Sequence, residues 1–327
     1  MSNKITSSKA SSNSIAMNKI LTTTSSFAKQ SDNSKAALTS AGYEVIINPF
    51  GRTLTEEEVG ALLEKHQPAG LIAGLEPLTE GVLANAKPFL RAISRCGTGL
   101  DNVDLDAAKR FGIPVLNTPA APAEAVAELT MALIFTLIRG VSYNDHAVKA
   151  GFWTKRMGLL LSEITVGIIG IGRVGKRVAS FLRPFGTKVL CYDTHPDHEW
   201  IANQGVSLVS VDELLASADV VTLHLPYATG DLHHFMNGER FKAMKRGSYL
   251  INTSRGALVN EEALCKALNE EHLAGAAIDT FESEPYRGPL TKIPSAVLSP
   301  HVGSYARATR NRMELEAAQN LLTALAS

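Results

Sequence analysis

The chain has 327 residues, 45% of them hydrophobic and 20% charged, and its 32 basic and 32 acidic side chains cancel. That length predicts about two domains, each with its own core, and the balanced charge argues against a nucleic-acid partner. Three widely spaced cysteines, Cys96, Cys191 and Cys265, exclude a disulfide framework and fit a reducing, cytoplasmic setting.

Taken in order, residues 1–16 are rich in Ser, Asn and Lys and hold no apolar stretch of signal-peptide length, which predicts a disordered tail. From Lys19 the chain alternates β-rich runs with helical segments, and strands are expected at 20–24, 43–47, 71–73, 92–95 and 115–117. Helices are expected between them, including 34–40 and 55–65, where Thr55 precedes Glu58 at capping-box spacing. A long apolar helix over 123–139 breaks the rhythm, and a looser stretch over 143–162 follows. No apolar run reaches the roughly 18–20 residues of a membrane span, so no membrane partner is expected. Strands return at 165–170, 188–192, 206–209, 220–225, 249–252 and 275–278, and an amphipathic helix over 307–325 closes the chain. This alternation predicts an α/β fold of two units, each a parallel sheet covered on both faces.

The second unit opens with a chemical signal. The run Val166-Gly167-Ile168-Ile169 leads into Gly170-Ile171-Gly172-Arg173-Val174-Gly175, and a helical segment follows. A lone G-x-G-x-x-G says little, but between a strand and a helix it has the context of a dinucleotide cradle. Gly170 permits the tight turn, Gly172 lets backbone approach a pyrophosphate, and Gly175 lets helix and strand pack closely. The N–H groups opening the helix, those of Arg173 and Val174 among them, then face the phosphates. Asp193 ends the next strand about twenty residues on, where a carboxylate accepts from ribose hydroxyls and repels a 2′-phosphate. Thr194-His195-Pro196-Asp197 add no Arg or Lys, so NAD is favoured over NADP.

Further stretches carry a resemblance. Arg95-Cys96-Gly97-Thr98-Gly99-Leu100-Asp101-Asn102-Val103-Asp104 resembles the substrate loop of the D-isomer-specific 2-hydroxyacid dehydrogenases, most of all their phosphoglycerate dehydrogenase branch. Val126-Ala127-Glu128, Asn252-Thr253-Ser254-Arg255-Gly256, Asp279-Thr280-Phe281-Glu282-Ser283-Glu284-Pro285 and Ser299-Pro300-His301-Val302-Gly303 are similar to four more motifs of that family. The resemblance covers nearly everything from Lys19 to the end of the chain.

It implies an NAD-dependent oxidoreductase that moves a hydride to or from C2 of a small 2-hydroxy or 2-keto acid. Reducing a keto acid requires a cation for the carboxylate, a group that polarises the carbonyl and an acid for the new alkoxide. Arg255 resembles the family residue that does the first two jobs, His301 the acid–base, and Glu284 the partner that orients the imidazole and stabilises its charged form. Arg95, Gly97, Thr98, Gly99 and Asn102 are implied on the substrate side. His224, Pro226, Thr253 and Asp279 join Gly170, Gly172, Arg173, Val174, Gly175 and Asp193 on the cofactor side.

The family architecture implies two Rossmann-like domains with parallel sheets. The cofactor domain, 121–300, is inserted into a discontinuous, flavodoxin-like substrate domain, 17–120 plus 301–327, with the substrate in the cleft between them. A homodimer is expected through the apolar 123–139 helix. The chain ends one helix beyond His301, so no serine-binding regulatory domain, and no inhibition by serine, is expected.

Where some phosphoglycerate dehydrogenases carry an arginine beyond the third strand, this chain reads Ala73-Gly74-Leu75-Glu76. Arg52, Arg91 or Arg95 then remain to bind a substrate phosphate, Arg95 foremost. The leading expectation is a phosphoglycerate dehydrogenase-like enzyme, the alternative a hydroxypyruvate or glyoxylate reductase, and a remote third an NAD-sensing corepressor. His195, His198 and the pair His233-His234 have no carboxylate or thiol near them at ligand spacing, so no metal is expected.

Overall fold

The computed structural model describes residues 19–226 and 232–326, so the expected N-terminal tail lies outside the described residues. The chain divides into two compact units, one running to Ala121 and resuming at Arg310, the other spanning Pro122–Thr309. The second boundary therefore falls after residue 309 rather than after residue 300. The reason is local: the main-chain N–H groups of His301, Val302 and Gly303 all bond to Asp279 of the second unit.

The first unit runs β1 (Lys19–Thr22), α1 (Asn33–Ser40), β2 (Glu44–Ile47), α2 (Glu56–His66), β3 (Gly70–Ala73), α3 (Glu80–Ala86), β4 (Ala92–Arg95), α4 (Leu105–Phe111) and β5 (Val115–Asn117). The strands are all parallel, in the order β2-β1-β3-β4-β5. The capping box read at Thr55 and Glu58 is present, each side chain bonding the other residue's main-chain N–H. Leucine and valine positions of α2 and α3, with Ala107 and Ala108 of α4, bury one face of the sheet. The other face is covered by the closing helix, which spans Arg307–Ala326 and packs Met313, Ala317, Ala318, Leu321 and Leu325 around Ile20, Ile72 and Ala92.

The second unit begins with α5 (Ala123–Ile138) and α6 (Val141–Lys149), then β6 (Thr165–Ile169), α7 (Arg173–Leu182), β7 (Lys188–Tyr192), α8 (His198–Gln204), β8 (Ser207–Leu208), α9 (Val211–Ser217) and β9 (Val220–Leu223). It continues with α10 (Gly238–Ala243), β10 (Ser248–Asn252), α11 (Glu261–Asn269), β11 (Leu273–Ile278) and β12 (Ala296–Leu298); the closing helix named above is α12. The seven parallel strands lie in the order β12-β11-β10-β9-β6-β7-β8, so the order reverses between β6 and β9. Ligands of open α/β sheets bind at the carboxyl ends of strands beside such a reversal.

Helix α5 is apolar on most sides because its own unit surrounds it: Met131, Leu133, Ile134, Leu137 and Ile138 are buried in the core shared with α7 and the sheet. Each such side chain contributes about 1.5–3 kcal/mol as an upper estimate. Two elements were not expected from the sequence. Helix α6 buries none of its residues and has no capping side chain, so it lacks the periodicity that marks a helix. Strand β12 has only three residues, all half-buried at a sheet edge.

Candidate active site

Gly170 follows β6 with φ 96, and a side chain there would meet the His224 carbonyl at 2.7 Å, so only glycine lets the turn lie against the end of β9. Helix α7 opens at Gly172 with no side-chain cap, and nothing stands within 4 Å of where a Gly172 side chain would begin. The first-turn N–H groups of Arg173 and Val174 are thus left without a side-chain acceptor, the condition for binding an anion at a helix start. Asp193, one residue past β7, is half-buried beside this turn. Its Oδ2 accepts from the Ile171 N–H at 2.8 Å and its Oδ1 from the His195 N–H at 2.8 Å. An uncapped glycine turn and a fixed carboxylate at the reversal fit the pyrophosphate and ribose of NAD.

The other residues expected on the cofactor side divide. His224 bonds Thr222 Oγ1 through Nε2 at 3.1 Å, and burial holds its imidazole down at about 3, so it stays neutral near pH 7. Pro226 is exposed at the edge of residues 227–231, which lie outside the described residues. Thr253 turns its hydroxyl inward to Thr130 of α5, at 3.0 Å. Asp279 is fully buried, and its carboxylate accepts from Ser299 Oγ at 2.6 Å and from the N–H groups of Val302 and Gly303 at 2.9 Å each. That carboxylate fastens the loop that bears His301.

Three segments meet beside it. At the end of β10, Asn252 clamps the turn that follows, donating from Nδ2 to the Arg255 carbonyl at 2.8 Å and accepting from the Ser254 N–H at 3.0 Å. Ser254 Oγ donates to the Leu225 carbonyl. Any side chain at Gly256 would overlap the Phe281 carbonyl group, so glycine is what lets the Arg255 turn lie on the segment that carries Glu284. Glu284 Oε1 accepts from the Phe281 N–H at 3.0 Å, and the carboxylate takes His301 Nδ1 at 3.0 and 3.2 Å.

Burial pushes the Glu284 carboxyl up. The hydrogen bond and charge of His301, the Phe281 N–H and the charge of Arg255 together outweigh that, leaving it below the usual carboxylate range. An ionised Glu284 can only accept, so Nδ1 of His301 carries a proton and Nε2 is left to exchange one. The sequence brought Arg255, Glu284 and His301 forward, and all three lie in this one neighbourhood. It gave no role to Asn252, Ser254 or Ser299, whose short side chains act only on nearby backbone and carry no chemical signature of their own.

In the first unit, the residues expected on the substrate side lie at and just beyond the carboxyl end of β4. Arg95 is 8% exposed; its Nη1 occupies the space a Gly97 side chain would need and donates to the Cys96 carbonyl at 3.1 Å. Asn102 Nδ2 donates to the Glu76 carbonyl at 2.7 Å, tying the glycine loop to the turn after β3. Thr98 is exposed, and the Gly97 carbonyl accepts from the Thr118 N–H at 3.0 Å. Glu76 is fully buried, bonded by Thr23 Oγ1 and by the Gly74 N–H at 3.0 Å, and lies close enough to feel the charge of Arg95. Burial nevertheless leaves its carboxyl raised.

Two sequence readings meet corrections or limits here. The pair His233-His234 does have a carboxylate: Glu282, 48 residues further along the chain, folds back onto it. The cysteines are all buried and free, and burial pushes the Cys96 and Cys191 thiols up to about 11, so neither is a thiolate near neutral pH.

The family model for the NAD-binding domain of D-isomer specific 2-hydroxyacid dehydrogenases matches residues 131–303. A glyoxylate reductase of Aeropyrum pernix is 39% identical over 251 residues, covering 73% of this chain and 75% of the relative. A D-3-phosphoglycerate dehydrogenase of Methanocaldococcus jannaschii is 36% identical over 258 residues, 77% of this chain but 48% of that longer protein. The D-lactate dehydrogenase of Aquifex aeolicus, solved with NAD and lactic acid, superposes with a TM-score of 0.80 at 30% identity, covering 94% of this chain and 95% of its own. Sequence, fold and site agree: the chain belongs to the D-isomer-specific 2-hydroxyacid dehydrogenases and is an NAD-dependent oxidoreductase.

Proposed function

We propose that the chain reduces a small, unphosphorylated 2-keto acid, glyoxylate or hydroxypyruvate, with NADH. The observation that carries this reading is the fate of the three arginines left to bind a phosphate. Arg52 is paired to Glu58 through both terminal nitrogens, at 2.6 and 2.7 Å. Arg91 precedes β4, at the opposite end of the strand from the glycine loop, and donates to the Leu325 carbonyl at 2.9 Å. Arg95 is buried beneath Gly97 with the Glu76 carboxyl near it. None offers an open cation to a dianion, whereas the C3 hydroxyl of hydroxypyruvate, or the hydrogen that glyoxylate carries in place of C3, asks for none. The curated relatives named glyoxylate reductase favour the same substrate class. A phosphoglycerate dehydrogenase activity has support from relatives such as that of Methanocaldococcus jannaschii, but from none of these three arginines.

In this reading the Gly170–Gly175 turn and Asp193 would hold NADH, whose chemistry there would be to provide a hydride for the keto carbon. Arg255 provides the cation for the substrate carboxylate and draws electrons from the carbonyl. His301, its Nδ1 bonded to Glu284, delivers the Nε2 proton to the oxygen that becomes the hydroxyl. Glu284 stabilises the imidazolium before transfer, and the proton consumed is regained from solvent. The balance is one keto acid, one NADH and one proton to one hydroxy acid and one NAD.

The test is NADH oxidation followed at 340 nm with glyoxylate, hydroxypyruvate, phosphohydroxypyruvate and pyruvate. We expect kcat/KM for glyoxylate or hydroxypyruvate to exceed that for phosphohydroxypyruvate by at least about tenfold, the discrimination of one unmatched charged group. The reverse order would overturn the proposal.

A further inference from the structure

His233 and His234 stack with ring centroids 3.8 Å apart and planes at 30°. Consecutive residues of an extended chain point to opposite sides. Here His234 has φ 51, and both imidazoles come to one side. Their Nε2 atoms lie 3.1 and 3.2 Å from the same oxygen, Oε1 of Glu282, and the three ligand atoms all fall within 4.8 Å of one another. Both supporting backbones are fixed: the His234 N–H donates to the Ala257 carbonyl at 2.7 Å, and the Glu282 N–H to Glu261 Oε1 at 3.1 Å. A tetrahedral ion with bonds of about 2.0 Å has ligand–ligand edges of about 3.3 Å, so the two nitrogen–oxygen distances already match such a site.

We propose that His233, His234 and Glu282 bind a divalent transition-metal ion of the zinc type, with water completing its coordination. Two imidazoles and one carboxylate select zinc, nickel or copper over magnesium or calcium, which take oxygen donors. All three residues are at least partly exposed, so an ion reaches them from solvent. The buried cysteines offer no competing thiolate site. Bound there, the ion joins the turn at 233–234 to the segment that carries Glu284 two residues beyond Glu282, so its occupancy stiffens the support of the catalytic carboxylate. The site does not depend on which keto acid is the substrate.

Asn260 sets the affinity. Its Nδ2 lies 3.3 Å from Nδ1 of His234, while its Oδ1 is held by the Ala263 N–H at 2.8 Å as the cap of α11. The amide therefore donates to Nδ1, and the Nε2 hydrogen of His234 points at Glu282. Coordination through Nε2 requires the other tautomer, with Nδ1–H facing an acceptor. Asn260→Asp keeps a cap of equal quality and supplies that acceptor.

The experiment uses the full chain freed of any affinity tag, titrated with zinc ions alone against a chromophoric chelator, with calorimetry as the second readout. We expect one equivalent bound with micromolar affinity, weakened at least about tenfold in His233→Ala and in Glu282→Gln, and strengthened in Asn260→Asp. Circular dichroism confirms that each variant is folded, and His233→Ala retains wild-type NADH turnover in chelator. Zinc bound equally by wild type, His233→Ala and Glu282→Gln, or not bound at all, overturns the proposal. An Asn260→Asp affinity equal to wild type removes His234 from the ligand set and overturns it as well.

Discussion

His301 holds a left-handed backbone conformation, φ 52, which costs a non-glycine residue about 1–3 kcal/mol unless its surroundings enforce it. Asp279 is the enforcer. Its carbonyl accepts the His301 N–H at 2.8 Å, and its carboxylate takes the next two N–H groups and Ser299. Asparagine tolerates the same backbone region, so His301→Asn removes the acid and leaves the turn. We expect kcat to fall by about 10²–10⁴ with KM little changed, and Glu284→Gln to lose less, measured by steady-state NADH oxidation with the best substrate. Wild-type turnover in His301→Asn would dismiss the assignment. Glu284 carries a second expectation. Its folded carboxyl lies below the ordinary 4.5, so it contributes stability that is complete above that value and is lost as pH falls through the lower folded one. Urea denaturation of wild type and Glu284→Gln should therefore diverge near neutral pH and converge as pH falls below the ordinary carboxylate range; a pH-independent gap would contradict it.

At the scale of elements, the site depends on two strand ends packed without intervening side chains. Gly256 lies against the Phe281 carbonyl, and that contact sets Arg255 of one turn against Glu284 of the next. Gly256→Ala must move one backbone away from the other. A displacement on the order of 1 Å costs about 10²-fold in rate, so kcat/KM should fall about that far while the far-ultraviolet dichroism stays native. Near-normal kinetics in the variant would show that the two segments are not rigidly coupled. Sequence periodicity carries the alternating strands and helices well, because a parallel sheet buried on both faces is written in continuous apolar runs. It misses α6, whose burial-free surface leaves no stripe, and it assigns the apolarity of α5 to an interface when the core of its own unit absorbs it. The motifs mark Arg255, Glu284 and His301 because their chemistry is rare at those positions. The approach of Glu282 to His233 and His234 has no such mark, since it joins residues 49 and 48 positions apart in the chain.

At the scale of the whole molecule, each unit has its own two-sided core, and what is left over is apolar surface on the second. Val141, Tyr143 and Val148 of α6 and Phe152, Trp153, Met157 and Leu160 beyond it are all more than 40% exposed, Trp153 at 84% and Met157 at 94%. Large apolar side chains clustered in one segment of some twenty residues are the mark of a surface that is covered in solution. Covering each contributes about 1.5–3 kcal/mol, enough in sum to offset the entropy of association. We propose that a second copy of the chain covers them, which moves the expected dimer interface from α5 to the segment that follows it. Sedimentation equilibrium at micromolar concentration should give twice the 35.0 kDa chain mass. Trp153→Glu places a charge in the centre of this surface and should return the mass of a single chain, while dichroism and thermal unfolding report whether the fold survives. A wild-type protein that sediments as one chain would leave the apolar segment without a partner copy and would overturn the dimer.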